Sequence, residues 1–340
     1  MIPHNKQTLS HEESQAADRV LASGWIAQGE EVLALEQESG DYINLLAENI
    51  VAVSSGSAAL YMALTIGNAK KRYISASAYS CRSILNTIQL SGGIPNFLDI
   101  EEVVVNASLK KSNADIYVIA HMFGPPDLNV DNKISYFLIE DAAQALGAKI
   151  KNIQVGLFGD IGVFSLGATK IIMSGGQGGI IISRNRDISD LARKMRDYNS
   201  IVDAIPRFNF QMKDIQAAIA REQFKKLPEF IFRRANIFKI YQGAGLPIIN
   251  SISQYVTSVR FFSAVIFTDS IKVISCQNAL LESGLRSIVP ATEDELLTTN
   301  TLVPNAADLS KKTLSTPIYP SLSDNDVNKI ISVCTRALKL

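Results

Sequence analysis

Cysteine is scarce in this chain: Cys81, Cys276 and Cys334 are the three among 340 residues. They are odd in number and far apart, and neither a disulfide framework nor a metal-ligand spacing fits them. That pattern points to a reducing, cytoplasmic setting. Net charge is missing as well, with 33 basic against 33 acidic residues. A neutral chain gives no electrostatic case for nucleic acid or an anionic membrane as partner, so any anion it binds must be held locally. No apolar run approaches the ~18 residues a membrane-spanning helix needs. The polar start MIPHNKQTLSHEE lacks the apolar stretch of a signal peptide. Internal repeats and low-complexity segments are absent too. A soluble protein with a soluble substrate is what these absences leave.

What is present is an ordinary globular composition, 47% hydrophobic and 19% charged, with material for a sizeable core. Its length suggests two domains, or one large domain with an appendage. Apolar strand-like runs alternate with amphipathic stretches, which argues for an α/β fold. Residues 10–40 read as helix, Gly-rich turn and helix. IVAVSSGSAALYMAL reads as strand, turn and helix, RYISASAY as a strand, and CRSILNTIQLSGG as a helix ending at Gly92 and Gly93. IPNFLDI, IYVIAHMF and ISYFLIEDAAQ follow as strands. VFSLGATK and GGIIISR read as a strand pair closed by a Gly-rich loop. From residue 214 the texture turns helical, DIQAAIAREQFKKL having apolar positions at helical spacing. After the loop GAGLPIINS comes a smaller unit: strand VRFFSAVIF, helix KVISCQNALLESG, strand LRSIVP, and a last helix opened by Ser323 and Asp326 in capping-box spacing. The expected boundary lies near residue 235, giving 1–235 and 236–340.

Five features sit where apolar strands end, the edge at which open α/β sheets bind ligands. In Ser54-Ser55-Gly56-Ser57-Ala58-Ala59-Leu60 small residues lead into a helix, whose first N–H groups suit a phosphate; the same run also makes an ordinary tight turn. Glu140-Asp141-Ala142-Ala143-Gln144 puts acids at a strand's carboxyl end, facing either a cleft or solvent. Lys170 follows a strand and a small-residue turn, although most lysines are solvated. The loop from Ser174 to Gly179 holds four glycines in five positions and folds around something, or is a flexible hairpin. Asn209 precedes a helix, where asparagine is usually a cap or turn residue.

Taken together and in order, these segments resemble the sugar aminotransferase family (the DegT/DnrJ/StrS type) of fold-type I enzymes that use pyridoxal phosphate (PLP). The resemblance runs from about residue 9 to residue 335. Its landmarks are SGWIAQGEEVLALE, SSGSAAL, GGIPNFLDI, AHMFGPPDLN, EDAAQALGA, GDIGVFSLGATK, GGQGG, NFQMKDIQAA and STPIYPSLSDNDV. It implies a large domain with a mostly parallel mixed sheet flanked by helices, plus a small C-terminal α/β domain. Lys170 would bind PLP as a Schiff base, since only lysine supplies an amine on a long arm. Asp141 would pair with the ring nitrogen and Gln144 would lie near the ring hydroxyl. The N–H groups of Ser57 and Ala58, after Gly56, would hold the phosphate with the Ser165 hydroxyl. Asn209 would reach the phosphate from the other subunit of a homodimer with shared active sites. The implied reaction moves an amino group from an amino acid, glutamate in most of the family, to a nucleotide-linked keto-sugar by a ping-pong route. Polysaccharide biosynthesis is the implied context.

The chain departs from the family pattern at four places. Cys81 stands where many relatives put an aromatic ring against the cofactor, and it reads as a cofactor neighbour or a buried structural thiol. Ser57 replaces a threonine and Gln177 a glutamate. The segment between Pro290 and Ser315 is short and lacks a histidine. Three other functions compete. One is a PLP-dependent sugar dehydratase, in which relatives carry histidine in place of the lysine retained here as Lys170. Another is a non-catalytic homologue that binds a sugar nucleotide or cofactor for regulation. The third is a dinucleotide-dependent oxidoreductase, which the single glycine of SSGSAAL disfavours.

Overall fold

The computed structural model describes residues 1–101, 104–107, 112–131, 136–198, 205, 207–249 and 255–338. Two helices open the chain, α1 (His11–Ser23) and α2 (Glu30–Ile43). The Ser10 side chain and Glu13 close the start of α1 reciprocally. Strand β1 (Ile50–Val53) then feeds α3 (Gly56–Ile66). Next come β2 (Tyr73–Ser77), α4 (Arg82–Leu90), β3 (Ile94–Leu98), and the short strands β4 (Ile100–Glu101) and β5 (Val104–Ala107). Strands β6 (Ile116–Ala120) and β7 (Phe137–Asp141) follow. The first residues of the expected strand ISYFLIEDAAQ, Ile134 and Ser135, lie outside the described residues, as do Asn250 and Ser251 of the loop GAGLPIINS. The chain continues through β8 (Lys149–Ile150), β9 (Ile153–Gln154), β10 (Ile161–Ser165), β11 (Gly179–Ile182) and α5 (Arg186–Arg196) to the long helix α6 (Asp214–Gly243).

The main sheet has the order β1-β11-β10-β7-β6-β2-β3. Strands β10, β7, β6, β2 and β3 pair in parallel, and β11 runs antiparallel between β1 and β10. The strands are short and apolar on both faces because both faces are covered, the usual condition of a parallel sheet. The alternation within each strand sorts the side chains. Val51, Val53, Val163 and Ile181 pack on one side with residues of α3, α4 and α5. Ile50, Ala52, Phe164, Ile180 and Ile182 pack on the other with α2 and α6.

The C-terminal part contains β12 (Val256–Thr257), β13 (Ser263–Ile266), α7 (Ser270–Glu282), α8 (Pro304–Lys312), β14 (Thr313–Thr316) and α9 (Asp324–Leu338). Helix α6 runs through residue 235 and contributes Ile237, Phe238 and Tyr241 to a core shared with α7, α9, β13 and β14. Ser323 caps α9 by accepting the Asp326 N–H at 3.1 Å, and its hydroxyl donates to the Asp326 carboxylate at 2.8 Å. Two features differ from the sequence reading. LRSIVP is no strand: Ile288 exchanges a single pair of backbone bonds with Ser315 before Pro290, which has no N–H to continue a ladder. The partner of β13 is instead β14, and α8, opened by Pro304 at its first turn, stands in the segment the reading left without structure. Among the described residues no helix is long and apolar enough to cross a membrane.

Candidate active site

Because β1, β10, β7, β6 and β2 run the same way, their carboxyl ends share one edge of the sheet. The turns leaving that edge carry the residues singled out above. A cavity of about 250 Å³ opens there, lined among others by Gly56, Ser57, Cys81, Asp141, Gln144, Ser165 and Lys170. Seven of the nine expected site residues therefore line one space. Asp141 and Lys170, separated by 29 positions in the chain, both face it. Ala58 and Asn209 line an adjoining cavity of about 710 Å³, which shares Ser57 and Ser83 with the first. Asn209 is exposed, beside Phe208.

Each wall has a local cause. Ser55 caps α3 by accepting the Ala58 N–H at 3.0 Å, so that N–H is engaged within the chain. The first helical bond to a carbonyl is Ala59 N–H to Ser55 O. The N–H groups of Gly56 and Ser57 are left without an acceptor inside the helix and mark an anion site at its positive end. Gly56 is required there: a Cβ on it would come within 2.7 Å of the Ser165 Cβ. The small residue lets the start of α3 touch the end of β10.

Asp141 ends β7, and its Oδ1 accepts the Ala143 N–H at 3.0 Å. Burial pushes its carboxyl pKa above the usual range, and the Ala143 N–H and the Lys170 charge oppose that rise. Gln144 is oriented by the Phe123 N–H, which donates to Oε1 at 2.8 Å; its Nε2 is thereby left as the donor. The Lys170 turn closes with Lys170 N–H to Gly167 O at 3.0 Å, and Lys170 Nζ sits 5.5 Å from the centre of the Phe261 ring.

One residue of this edge, His121, is not singled out by the sequence, and Glu140 is legible there only as an acid at a strand end. His121 follows β6 and lines the cavity. Its Nδ1 accepts the Asp127 N–H at 2.9 Å, so the proton lies on Nε2, which donates to Glu140 at 3.0 Å. Glu140, fully buried beside Asp141, also accepts the N–H groups of Gly156, Phe158 and Gly159, each at 2.7 Å. The signal available for His121 was the one that singled out Asp141, a polar residue directly after an apolar strand.

The family model described as the DegT/DnrJ/EryC1/StrS aminotransferase family matches residues 7–335. The chain belongs to that family. Relatives run the full length of the chain. The spore coat polysaccharide biosynthesis protein SpsC of Bacillus subtilis is 27% identical, over 99% of this chain and 97% of its own. The GDP-perosamine synthase of Vibrio cholerae is 25% identical, over 97% of each. Among solved structures, the aminotransferase TlmJ from Streptoalloteichus hindustanus superposes with a TM-score of 0.90 at 25% identity, covering 100% of this chain and 99% of that one. The PLP form of the sugar aminotransferase Spr1654 from Streptococcus pneumoniae has the same fold, with a TM-score of 0.88 at 18% identity over 99% and 98%. Family membership bears out the expected fold, the transaminase class and PLP as the cofactor.

The donor set suits that cofactor. Asp141 Oδ2 is free to accept from a protonated ring nitrogen, and Gln144 Nε2 can donate to a ring oxygen. Two backbone N–H groups and Ser165 Oγ are available to a phosphate, and Lys170 supplies the amine.

Proposed function

We propose that this aminotransferase transfers an amino group from an amino acid, glutamate in the simplest case, to a keto-sugar linked to a nucleotide. The observation that carries the reading is that Lys170 and Asp141 line one cavity at the carboxyl edge of the sheet. The sugar half is supported by the names of relatives that match this chain end to end, one of them a dTDP-4-dehydro-2,3,6-trideoxy-D-glucose 4-aminotransferase from Saccharopolyspora spinosa. Synthesis of a surface polysaccharide, in the cytoplasm, is the setting we assign to it.

When bound, PLP supplies an electrophilic carbon and a ring that takes up the electron pair released at the donor carbon. The chain's residues then have distinct tasks. Lys170 Nζ would anchor the group covalently and, as a free amine, would carry a proton between carbons. Asp141 Oδ2 keeps the ring nitrogen protonated, and its burial strengthens that bond. Gln144 Nε2 donates to the ring oxygen. The Gly56 and Ser57 N–H groups, with Ser165 Oγ, hold the phosphate. Cys81, exposed on the cavity wall, would lie beside the ring, where a thiol cannot stack. Asn209, exposed and outside the Lys170 cavity, serves the partner's phosphate in a homodimer. That surface is otherwise costly: Phe208 is 67% exposed and Leu90 72%. The chain divides near residue 235 into a large cofactor-holding part and a small C-terminal one.

Borohydride reduction of the PLP-loaded protein, followed by peptide mapping, tests the anchor. The cofactor should be fixed on Lys170, and Lys170→Ala should lose it while keeping the wild-type melting curve. A panel of nucleotide-linked keto-sugars with glutamate tests the substrate. Transfer to simple keto acids with no amination of any sugar in the panel would refute the sugar assignment.

A further inference from the structure

Residues 2–8 lie across the lysine turn, and the function above assigns them nothing. The Asn5 side chain donates from Nδ2 to Thr169 O at 2.7 Å, and the Gln7 side chain donates from Nε2 to Lys170 O at 3.1 Å. These two carbonyls are consecutive and belong to the turn that presents the amine. The Lys170 N–H is bonded within the turn to Gly167 O, so the residue is held at its N–H by the turn and at its carbonyl by Gln7. Both ends of the segment are anchored. Ile2 exchanges backbone bonds with Gly284 and Arg286 at 2.8 and 2.9 Å. His4 bonds Ser315 Oγ through Nε2 at 2.9 Å and sets its ring edge-on to Phe262. Burial and the Arg234 charge push its pKa down to about 4, so the ring stays neutral in this contact at ordinary pH. At the other end Thr8 O accepts from Gln223 Nε2, on α6, at 3.0 Å. A segment tied down at both ends places its middle side chains at low entropic cost.

We propose that residues 2–8 form a positioning strap for the lysine turn, with Gln7 and Asn5 as the positioning residues. Neither lines the Lys170 cavity, so both act through the backbone that carries Lys170 and not on the substrate. The proposal rests on Lys170 being the cofactor's anchor. Transfer at Lys170 Nζ depends on how closely the amine is placed, and a displacement of about 1 Å costs on the order of 10²-fold in rate. Loss of one of the two holds on the Lys170 backbone is expected to cost roughly tenfold in kcat, with KM for the amino donor changed less than about twofold.

The test compares Gln7→Met, which keeps the side chain's length and removes the donor, with Gln7→Lys, which retains one. The full-length chain is used, with and without PLP. In the PLP-free chain, amide hydrogen exchange across residues 168–172 should quicken about tenfold in Gln7→Met and stay near wild type in Gln7→Lys, while exchange in α3 and α9 is unchanged. In the loaded chain, the pH midpoint of the cofactor's visible absorption should shift in Gln7→Met only. Turn exchange, absorption midpoint and kcat all at wild-type values in Gln7→Met would overturn the proposal. Exchange that quickens equally in α3 and α9 would overturn it too, by making the strap a general stabiliser. Peptide mapping of the wild-type chain after borohydride reads the anchor separately. Cofactor fixed elsewhere than Lys170 would sink the assignment of Lys170, whereas the exchange comparison reports on the strap alone.

Discussion

Glu140→Gln replaces one oxygen of a carboxylate that works only as an acceptor. Its Oε1 takes the Phe158 and Gly159 N–H groups, and its Oε2 takes the Gly156 N–H and the proton on His121 Nε2. Four donors converge on a fully buried anion, an arrangement that strengthens each bond. A carboxamide keeps one oxygen and turns the other edge into an NH₂ group that confronts two donors. Whichever way it turns, two N–H groups lose their acceptor, either the buried pair of Gly156 and His121 or the half-buried pair of Phe158 and Gly159. His121 cannot rescue one of them by moving its proton, because Nδ1 accepts the Asp127 N–H. A buried donor left unpaired costs about 1–3 kcal/mol, so the substitution should cost roughly 2–6 kcal/mol, a large share of the ~5–15 kcal/mol typical of a folded chain. At about 2–4 °C per kcal/mol for a large domain, Tm of the PLP-free protein should fall by roughly 4–24 °C, read by circular dichroism or calorimetry. PLP affinity should fall with it, because Glu140 fixes the strand end that carries Asp141. A drop in Tm under about 2 °C would mean that this cluster does not hold the edge of the site, and the account of Glu140 would be wrong.

Three further substitutions probe the same edge. Asp141→Asn cannot hold a proton on the ring nitrogen; kcat should fall about 10²-fold or more while PLP affinity, from a titration of the visible band, changes far less. Asp127 lies behind His121, and burial pushes its carboxyl pKa up to about 6 from 3.8. A raised acid pKa adds stability that is complete below the unfolded value and is lost as pH climbs through the folded one. About two units of difference amount to ~3 kcal/mol, so Asp127→Asn should match wild type in urea at pH 4 and exceed it by up to about that much at pH 8; parallel pH profiles would refute this. Gly56→Ala would drive a methyl group to 2.7 Å from Ser165 Cβ. An overpacked contact costs about 1–3 kcal/mol, and the phosphate site should open, weakening PLP binding by roughly tenfold or more in equilibrium dialysis.

Much of this edge could be read from the residues in order. Strands that are apolar on both faces announce a covered parallel sheet, and the polar or small residues that end them must lie along its carboxyl edge. Those ends carry the segments of Ser57, Asp141, Gln144, Ser165 and Lys170, which meet in one cavity, while the role of each residue was legible only through the resemblance to the aminotransferase family. Where strand geometry does not dictate the answer, composition misleads. LRSIVP has the composition of a strand, but it makes only two isolated bridges among the described residues, Leu285 with Ile2 and Ile288 with Ser315, and no ladder. The phosphate site shows the same limit at the scale of single atoms. Ser57 and Ala58 look alike as N–H donors in sequence, and only the Ser55 side chain, folded back on Ala58, separates the open donor from the closed one.

The residues that hold the site in place were harder to see than those that face it, and the reason is physical. A group that meets the cofactor must carry the chemistry the cofactor needs, so its type and its place after a strand betray it. A group that holds backbone needs only a donor or an acceptor within reach, and any of several residue types will serve. Asn5 and Gln7 lie more than 160 positions from the turn they bond, and nothing in PHNKQT distinguishes them from a solvated start. Glu140 was visible as an acid, but its four donors come from a loop some sixteen to nineteen residues downstream and from the end of another strand. Side by side in the chain, Glu140 and Asp141 are equivalent carboxylates. The fold divides their work by turning alternate residues of β7 to opposite sides, so that one anion is spent on the protein's own N–H groups and its neighbour is kept for the cofactor.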